Sequence, residues 1–254
     1  MRKIAFIAML VSAAILMTSC GGSSDEQNAN QDSTKIVNNS TDSVVKDSPA
    51  IAVCVYDGTP LREEPGKSGK WISGINMGET VFYADETKTD PAEKRDYYKV
   101  KLSDGKTGWA PDYGIILNAT PAVALEEAVI YKRPDILTNT DKKMPLMHFV
   151  AISTENEDNW AEIIGEGKKL KGWVQADKLT KNKEDIAVAI LASKVLAKET
   201  GKSLIDKLNE IIENTPYPNS VFIKILMERR DAEKDKLEYE GQDSGNKEDQ
   251  MSGE

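Results

Sequence analysis

The sequence predicts a mainly β protein with a C-terminal α segment, in which two small β-barrels are followed by about three helices. Residues 51–180 are rich in short apolar or alternating runs separated by turn-forming residues, which is typical of β-strands. A weak internal repeat divides this stretch into two halves. Residues 184–237 then change to the 3.6-residue period of amphipathic helices.

The N-terminus has the pattern of an export signal. Arg2 and Lys3 precede an apolar run over residues 4–17, which is shorter than the roughly 20 residues that span a bilayer and suits a signal peptide. The run ends in Met17-Thr18-Ser19-Cys20, which resembles the lipobox of bacterial lipoproteins, although Met17 stands where leucine is usual. This resemblance implies a signal peptide over residues 1–19, cleavage before Cys20 and lipidation of its thiol. An ordinary signal peptide followed by a chance cysteine is the alternative.

The same resemblance implies a location. An exported protein acylated at Cys20 is held in the membrane of the cell envelope, since two or more acyl chains anchor a protein stably. Gly21 after the cysteine implies sorting to an outer membrane, on its periplasmic or its surface face. Residues 20–50 are rich in Ser, Asn, Asp and Gln, a composition that predicts a flexible tether.

Residues 51–118 are predicted to form the first barrel. Strand composition is found over residues 80–83, 97–102 and 106–109, and Asp104-Gly105 is the preferred chemistry for a tight hairpin between the last two. Residues 119–180 repeat the pattern: Gly172-Trp173 echoes Gly108-Trp109, and Trp160 with Ile163 echoes Tyr98 with Val100.

Both halves resemble bacterial SH3 (SH3b) domains, which are small half-open barrels common in envelope proteins. The first half carries the fuller pattern, at Leu61, Arg62, Pro65, Gly78, Glu79, Val81, Tyr98, Val100, Gly105, Gly108 and Trp109. The second half matches at Arg133, Pro134, Trp160, Ile163, Gly172 and Trp173 but lacks the Gly-Glu pair. The resemblance implies two tandem copies, the second divergent, that bind peptidoglycan or an envelope protein.

The helical segment is expected over residues 184–237. Gly201 is predicted to end its first helix, Ser203 and Asp206 to cap the second, and Asn219 or Ser220 to start the third. Residues 238–254 are polar and acidic, and predict a disordered tail.

Four aromatic residues of the first barrel exceed what its core requires: Tyr56, Trp71, Tyr97 and Tyr113. They are candidates for a ligand-binding groove, because aromatic side chains commonly dominate binding surfaces; packing in the core is the alternative for each. Trp109 is instead expected to cover the open end of its barrel.

No catalytic, metal or cofactor site is predicted. Cys54 lies in an alternating strand and the single histidine, His148, lies in the other barrel, so the two are not expected to meet at the 3 Å or so that thiol activation needs. One histidine also excludes the usual zinc hydrolase centres. Thr200-Gly201-Lys202-Ser203 lacks the earlier glycine of a phosphate-binding loop, since position 196 is Leu196.

The composition excludes one class of partner and leaves two function classes open. The net charge of −9 provides no basic footprint for nucleic acid. The first hypothesis is a non-enzymatic, envelope-anchored binding protein whose barrels hold peptidoglycan or an envelope protein. The alternative is a structural or assembly lipoprotein in which the C-terminal helices are the interaction surface and the barrels are scaffold. The sequence does not indicate an oligomeric state.

Overall fold

The computed structural model describes residues 50–251, with side chains as far as residue 240. The predicted signal peptide, Cys20 and the predicted tether up to residue 49 lie outside the described residues. Within residues 50–251, none of the helices combines the length and the apolar character needed to cross a membrane.

The first seven strands form one antiparallel sheet in the order β3-β2-β6-β5-β4-β1-β7. Their bounds are β1 Ala50–Cys54, β2 Thr59–Arg62, β3 Trp71–Ile75, β4 Thr80–Asp90, β5 Arg95–Lys101, β6 Thr107–Pro111 and β7 Ile115–Leu117. The predicted hairpin is present between β5 and β6, where Gly105 has a φ of 90° that suits a residue without a Cβ. Leu102 and Lys106 are joined by a 2.8 Å backbone hydrogen bond across this turn.

The next seven strands repeat this topology, in the order β10-β9-β13-β12-β11-β8-β14. Each position in this order is occupied by the strand seven places later in the chain. The bounds are β8 Thr120–Ala124, β9 Ala128–Tyr131, β10 Asn139–Met144, β11 Phe149–Glu155, β12 Trp160–Ile164, β13 Lys171–Gln175 and β14 Leu179–Thr180.

Each sheet curls around its own apolar core. All seven strands of the first sheet contribute to one buried cluster that includes Leu61, Ile75 and Val100, and all seven of the second contribute to another that includes Ile130 and Ile163. We call the two sheets the first barrel and the second barrel. Their presence, followed by helices, confirms the predicted fold class.

Three helices follow the second barrel: α1 Lys183–Leu196, α2 Gly201–Asn214 and α3 Phe222–Met251. The Asn182 side chain accepts a 2.8 Å hydrogen bond from the Glu184 N–H at the start of α1, which is an ordinary N-cap. The buried Asp185 carboxylate accepts hydrogen bonds from Ser220 Oγ (2.8 Å) and the Val221 N–H (3.0 Å), so it ties α1 to the start of α3.

A third apolar cluster joins the barrels to the helices. It contains Val53 from β1, Val123 from β8 and Phe149 from β11, together with Leu208 and Phe222 from the helices. Side chains of a strand alternate between its two faces, so β1 directs Ala52 and Cys54 into its barrel and Val53 towards this shared cluster. The apolar faces of the helices therefore cover the barrels.

Two helix limits differ from the prediction. Gly201 begins α2 instead of ending α1, and its N–H donates a 2.9 Å hydrogen bond to the buried carboxylate of Glu233 in α3. Ser203 lies inside α2. The third helix also continues past residue 237 to Met251, and its charged residues pair along its surface, as Lys234 does with Asp231 at 3.8 Å.

Candidate functional site

A groove of about 490 Å³ lies on the surface of the first barrel. It is formed where β2, the β2–β3 loop, the tip of the β4–β5 hairpin and the end of β6 come together. Its lining combines cations, two tyrosines, two prolines and one carboxylate: Pro60, Arg62, Lys67, Glu93, Arg95, Tyr97, Pro111 and Tyr113.

An elongated hairpin builds one wall of the groove. Strand β4 has 11 residues, whereas β11, its counterpart in the second barrel, has 7. The extra length carries the hairpin tip back to the β2–β3 loop, where the Lys67 N–H donates a 2.7 Å hydrogen bond to Glu93 Oε1. Gly66 has a φ of 95°, which residues with a Cβ rarely adopt, so the backbone of this loop favours glycine; a Cβ here would lie 2.7 Å from Oδ2 of the Asp90 side chain.

Glu93 is the polar anchor of this wall. Besides the Lys67 N–H, its Oε1 accepts a 3.2 Å hydrogen bond from the Tyr97 hydroxyl, and its Oε2 lies 3.8 Å from Arg95 Nε. The Tyr97 side chain is almost fully buried. Burial, followed by the negative charge of Glu93, raises the pKa of Tyr97 to about 12.

The other predicted aromatic residues lie around this groove to different extents. Tyr113 lines it, beneath the guanidinium of Arg95 at 4.7 Å from the ring centroid. Trp71 is 53% exposed and contacts the groove through Arg62, whose guanidinium lies 5.9 Å from the indole centroid. Tyr56 packs edge-on against Tyr113, with centroids 5.4 Å apart, and faces Gly167 of the second barrel.

The structure thus places Tyr97 and Tyr113 in the groove wall, Trp71 at its rim, and Tyr56 between the groove and the second barrel. Sequence reasoning missed Lys67, Glu93 and Arg95 as groove residues. Glu93 and Arg95 are brought to the β2–β3 loop, which carries Lys67, by a hairpin whose full length has no apolar alternation to reveal it.

Trp109 has a different environment from the groove aromatics. It is 5% exposed, and two ammonium groups cover its ring, Lys88 at 4.7 Å and Lys99 at 5.8 Å from the centroid. Lys99 is fixed in turn by a 2.6 Å ion pair with Glu86. A ring enclosed in this way contributes to the stability of the barrel, and its face is not free for a ligand.

Cys54 is fully buried inside the first barrel. Its Sγ hydrogen bonds to the Tyr56 carbonyl (3.2 Å), to Thr59 Oγ1 (3.4 Å) and to the Ile75 carbonyl (3.6 Å). Burial raises the pKa of the Cys54 thiol, which disfavours the reactive thiolate.

His148 lies in a cleft between the second barrel and α1, beside Phe149 and Glu166. It is not among the hydrogen-bond partners of Cys54. Burial lowers the pKa of the His148 imidazole, and the negative charge of Glu166 acts in the opposite direction.

The second barrel is built differently at the position of the groove. Arg62 of β2 pairs with Trp109, and Tyr131 of β9 takes the same place opposite Trp173. The Tyr131 ring packs edge-on against Trp160, with centroids 4.9 Å apart. The groove described above is therefore a feature of the first barrel.

Comparison with known proteins assigns a family to this part of the chain only. Residues 57–114, which include every groove residue, match the bacterial SH3 domain family. No curated protein matches the chain.

Two solved structures from Trichomonas vaginalis, NlpC2 and NlpC1, are 17% and 16% identical in sequence to the chain. The alignments cover 61% of this chain and 58% of NlpC2, with a TM-score of 0.24, and 58% of this chain and 53% of NlpC1, with a TM-score of 0.23. The chain therefore spans less than two thirds of either structure. The match of residues 57–114 makes the groove part of a region similar to bacterial SH3 domains.

Proposed function

We propose that this protein is a non-enzymatic lipoprotein, anchored in the cell envelope through Cys20, whose first barrel binds peptidoglycan or an envelope protein in the groove around Tyr97 and Tyr113. The observation that carries the proposal is the groove itself, which combines aromatic and cationic side chains on the segment that matches bacterial SH3 domains. Pockets that bind ligands typically combine apolar or aromatic surface with a few polar groups.

Anchoring and export rest on the N-terminal sequence. The positive residues Arg2 and Lys3 and the apolar run have the pattern of a signal peptide, and Thr18 and Ser19 before Cys20 resemble a lipobox, with Met17 in place of the usual leucine. With a tether after Cys20, the barrels would stand away from the membrane surface, within reach of the cell wall. Gly21 supports an outer-membrane location.

The proposal treats the second barrel as a divergent copy of the first. Its identical strand order supports this relation, as does the shared placement of the two Gly-Trp pairs in β6 and β13. Because Tyr131 and Trp160 pack on each other there, we assign ligand binding to the first barrel and a supporting role to the second.

Two features support a non-enzymatic role. The Cys54 thiol is buried, with a raised pKa and without a histidine among its hydrogen-bond partners, whereas a nucleophilic cysteine needs a depressed pKa or an adjacent base. His148 lies in a different cleft, with a lowered pKa.

One observation favours the alternative function. An apolar groove of about 370 Å³ lies between α1 and α2, lined by Leu191, Val195, Ile211 and Pro216 among others. The Leu191 side chain is 50% exposed. If this surface were the interface, the barrels would be scaffold for a protein partner.

Sedimentation with purified peptidoglycan, alongside capture from an envelope extract, separates the two functions. Both assays use the protein from residue 21 onward. Deleting the helices is not a clean test, because Leu208 and Phe222 belong to the cluster that covers both barrels.

Tyr113→Ala in the groove and Leu191→Lys on the helices are the matched substitutions. We expect Tyr113→Ala to weaken sedimentation or capture by about tenfold or more, as for an aromatic anchor of a binding site, and Leu191→Lys to leave both unchanged. The reverse result favours the helices.

A further inference from the structure

The three cations that line the groove differ in how many partners they already have within the protein. Arg62 donates one hydrogen bond, from Nη1 to the Gly69 carbonyl at 2.7 Å, and a guanidinium has five N–H donors. The exposed ammonium of Lys67 makes no ion pair with the side chains that the structure describes. The Arg95 guanidinium forms ion pairs with the carboxylates of Glu93, at 3.8 Å, and Asp112, at 3.3 Å.

Two carboxylates at the groove, those of Glu93 and Asp112, are already paired with cations. Glu93 is held by Lys67 N–H, the Tyr97 hydroxyl and Arg95. Asp112 pairs with Arg95 and, at 3.7 Å, with Lys168 of the second barrel. Arg62 and Lys67 line the same groove and are not paired with a carboxylate among the described residues. The Asp90 carboxylate beside Gly66 has no ion pair there either, and it offsets part of their positive charge.

The second barrel differs from the first at the positions of Arg62 and Tyr113. Tyr131 replaces Arg62 in the strand register. Tyr113 is the middle residue of the 3₁₀ turn Asp112–Gly114, and Asp177 is the middle residue of the corresponding turn Ala176–Lys178. A carboxylate thus stands where the first barrel has a tyrosine. The pocket of about 500 Å³ beside Tyr131 has its own cations, Lys132, Lys142 and Lys171, so the two barrels differ in the arrangement of their charges and aromatic rings.

The size of the groove restricts the ligand. A volume of about 490 Å³ is within the range of small-molecule sites, roughly 300–1,000 Å³. A stable protein–protein interface instead covers about 800 Å² on each partner. The groove therefore suits the end of a short peptide better than the surface of a folded protein.

We infer that the groove binds the free carboxylate end of a short peptide, of the kind that peptidoglycan stems carry, with the carboxylate held by Arg62 and Lys67 and the adjacent residue packed on the partly exposed Tyr113. The inference rests on the proposed function and specifies its ligand. Arg62 can meet a carboxylate with two parallel N–H donors, the geometry that makes guanidinium–carboxylate pairs strong and directional. The rest of the peptide backbone is uncharged, so the groove needs no charged side chain besides Arg62 and Lys67 to bind it.

Calorimetric titration of the protein from residue 21 onward tests this. The probes are acetyl-Lys-D-Ala-D-Ala as the free acid, the same peptide as its C-terminal amide, and the free acid with both alanines in the L form. We expect the D free acid to bind about tenfold more tightly than its amide, the change that one charge-assisted hydrogen bond supplies. Affinity for the free acid should also fall with added salt, because the groove is open to solvent.

A pair of lysines from the same loop supplies the control. Lys67→Gln should weaken binding of the D free acid by about tenfold and leave binding of the amide unchanged. Lys70→Gln removes an exposed charge that pairs with Glu63 outside the groove. This variant should bind the free acid and the amide as the unsubstituted protein does. Both lysines are exposed, so both variants are expected to fold.

Three results would overturn the inference: equal affinity for acid and amide, equal effects of the two lysine variants, or binding of the L peptide alone, which would indicate the C-terminus of a protein. The proposed function fails separately, if intact peptidoglycan and envelope extract are not bound at all. Sedimentation with peptidoglycan combined with equal binding of acid and amide would retain the function and reject the carboxylate.

Discussion

Replacing Glu93 with alanine tests whether the elongated hairpin is what builds the groove. The substitution removes the acceptor for the Lys67 N–H at 2.7 Å and for the Tyr97 hydroxyl at 3.2 Å. Hydrogen bonds to charged groups contribute about 1.5–3 kcal/mol each. The Glu93 side chain is 17% exposed, and water can reach the released donors from the open groove. We therefore expect a loss of about 2 kcal/mol in the free energy of unfolding, less than the roughly 3–6 kcal/mol that two such bonds would contribute together, because water replaces part of each bond.

Thermal unfolding and amide hydrogen exchange measure this effect. For a folded region of about 200 residues, a loss of 2 kcal/mol lowers Tm by roughly 4–8 °C. The Lys67 amide should also exchange faster, because it loses its acceptor. Glu64→Ala is the matched control, since it removes an exposed glutamate from the neighbouring loop. A Glu93→Ala protein with the Tm of this control and an unchanged Lys67 amide would refute the proposed construction of the groove.

Three further predictions follow from individual side chains. The pKa of Tyr97 is raised from 10 to about 12. The stability linked to its neutral hydroxyl is therefore present below pH 10 and is lost as the pH rises through 12. In alkaline unfolding experiments, a Tyr97→Phe protein should lose about 2 kcal/mol less of its free energy of unfolding between pH 10 and 12 than the unsubstituted protein. Cys54 should react with thiol reagents only after unfolding, because its buried thiol has a raised pKa, and rapid labelling of the folded protein would contradict this. Cys20→Ala should release the protein from membranes and abolish its labelling by a radioactive fatty acid; a variant that remained membrane-bound would show that the lipid anchor is wrongly assigned.

The barrel strands could be predicted where local chemistry and one buried face agree. Asp104-Gly105 marks the β5–β6 hairpin, and the alternation from Tyr97 to Val100 reflects a strand with its core face on the barrel interior. The outer half of the β4–β5 hairpin could not be predicted in the same way. From Asp85 to Asp90 most side chains are exposed, so no buried face imposes a period of two on the sequence.

The helical segment illustrates how tertiary contacts override local signals. Gly201 follows an apparent helix end in the sequence and was predicted to stop α1, yet its N–H meets the Glu233 carboxylate, which is more than thirty positions later in the chain. The buried Asp185 similarly caps a helix end far from its own position. The shared cluster of barrels and helices was also not foreseen, because nothing in the local pattern of Val53 or Phe149 states which element will cover it.

The candidate site was predictable in part. Its aromatic residues are conspicuous in the sequence, and Tyr97 and Tyr113 lie together in the groove. Its charged residues could not be assigned, because Arg62, Lys67 and Glu93 become neighbours only when the hairpin tip folds back on the β2–β3 loop. Charged residues in exposed loops are ordinarily solvated. Only the contact between the hairpin tip and the β2–β3 loop distinguishes Arg62, Lys67 and Glu93 from other charged loop residues.

Mapping the ligand contacts by nuclear magnetic resonance tests the central claim most directly. The measurement adds soluble peptidoglycan fragments to the ¹⁵N-labelled protein and records which backbone amides shift. We expect the largest shifts at Arg62, Lys67, Tyr97 and Tyr113, and little change around Tyr131 in the second barrel. Shifts concentrated instead at Leu191 and Ile211, or an unchanged spectrum, would contradict the assignment of ligand binding to the first barrel.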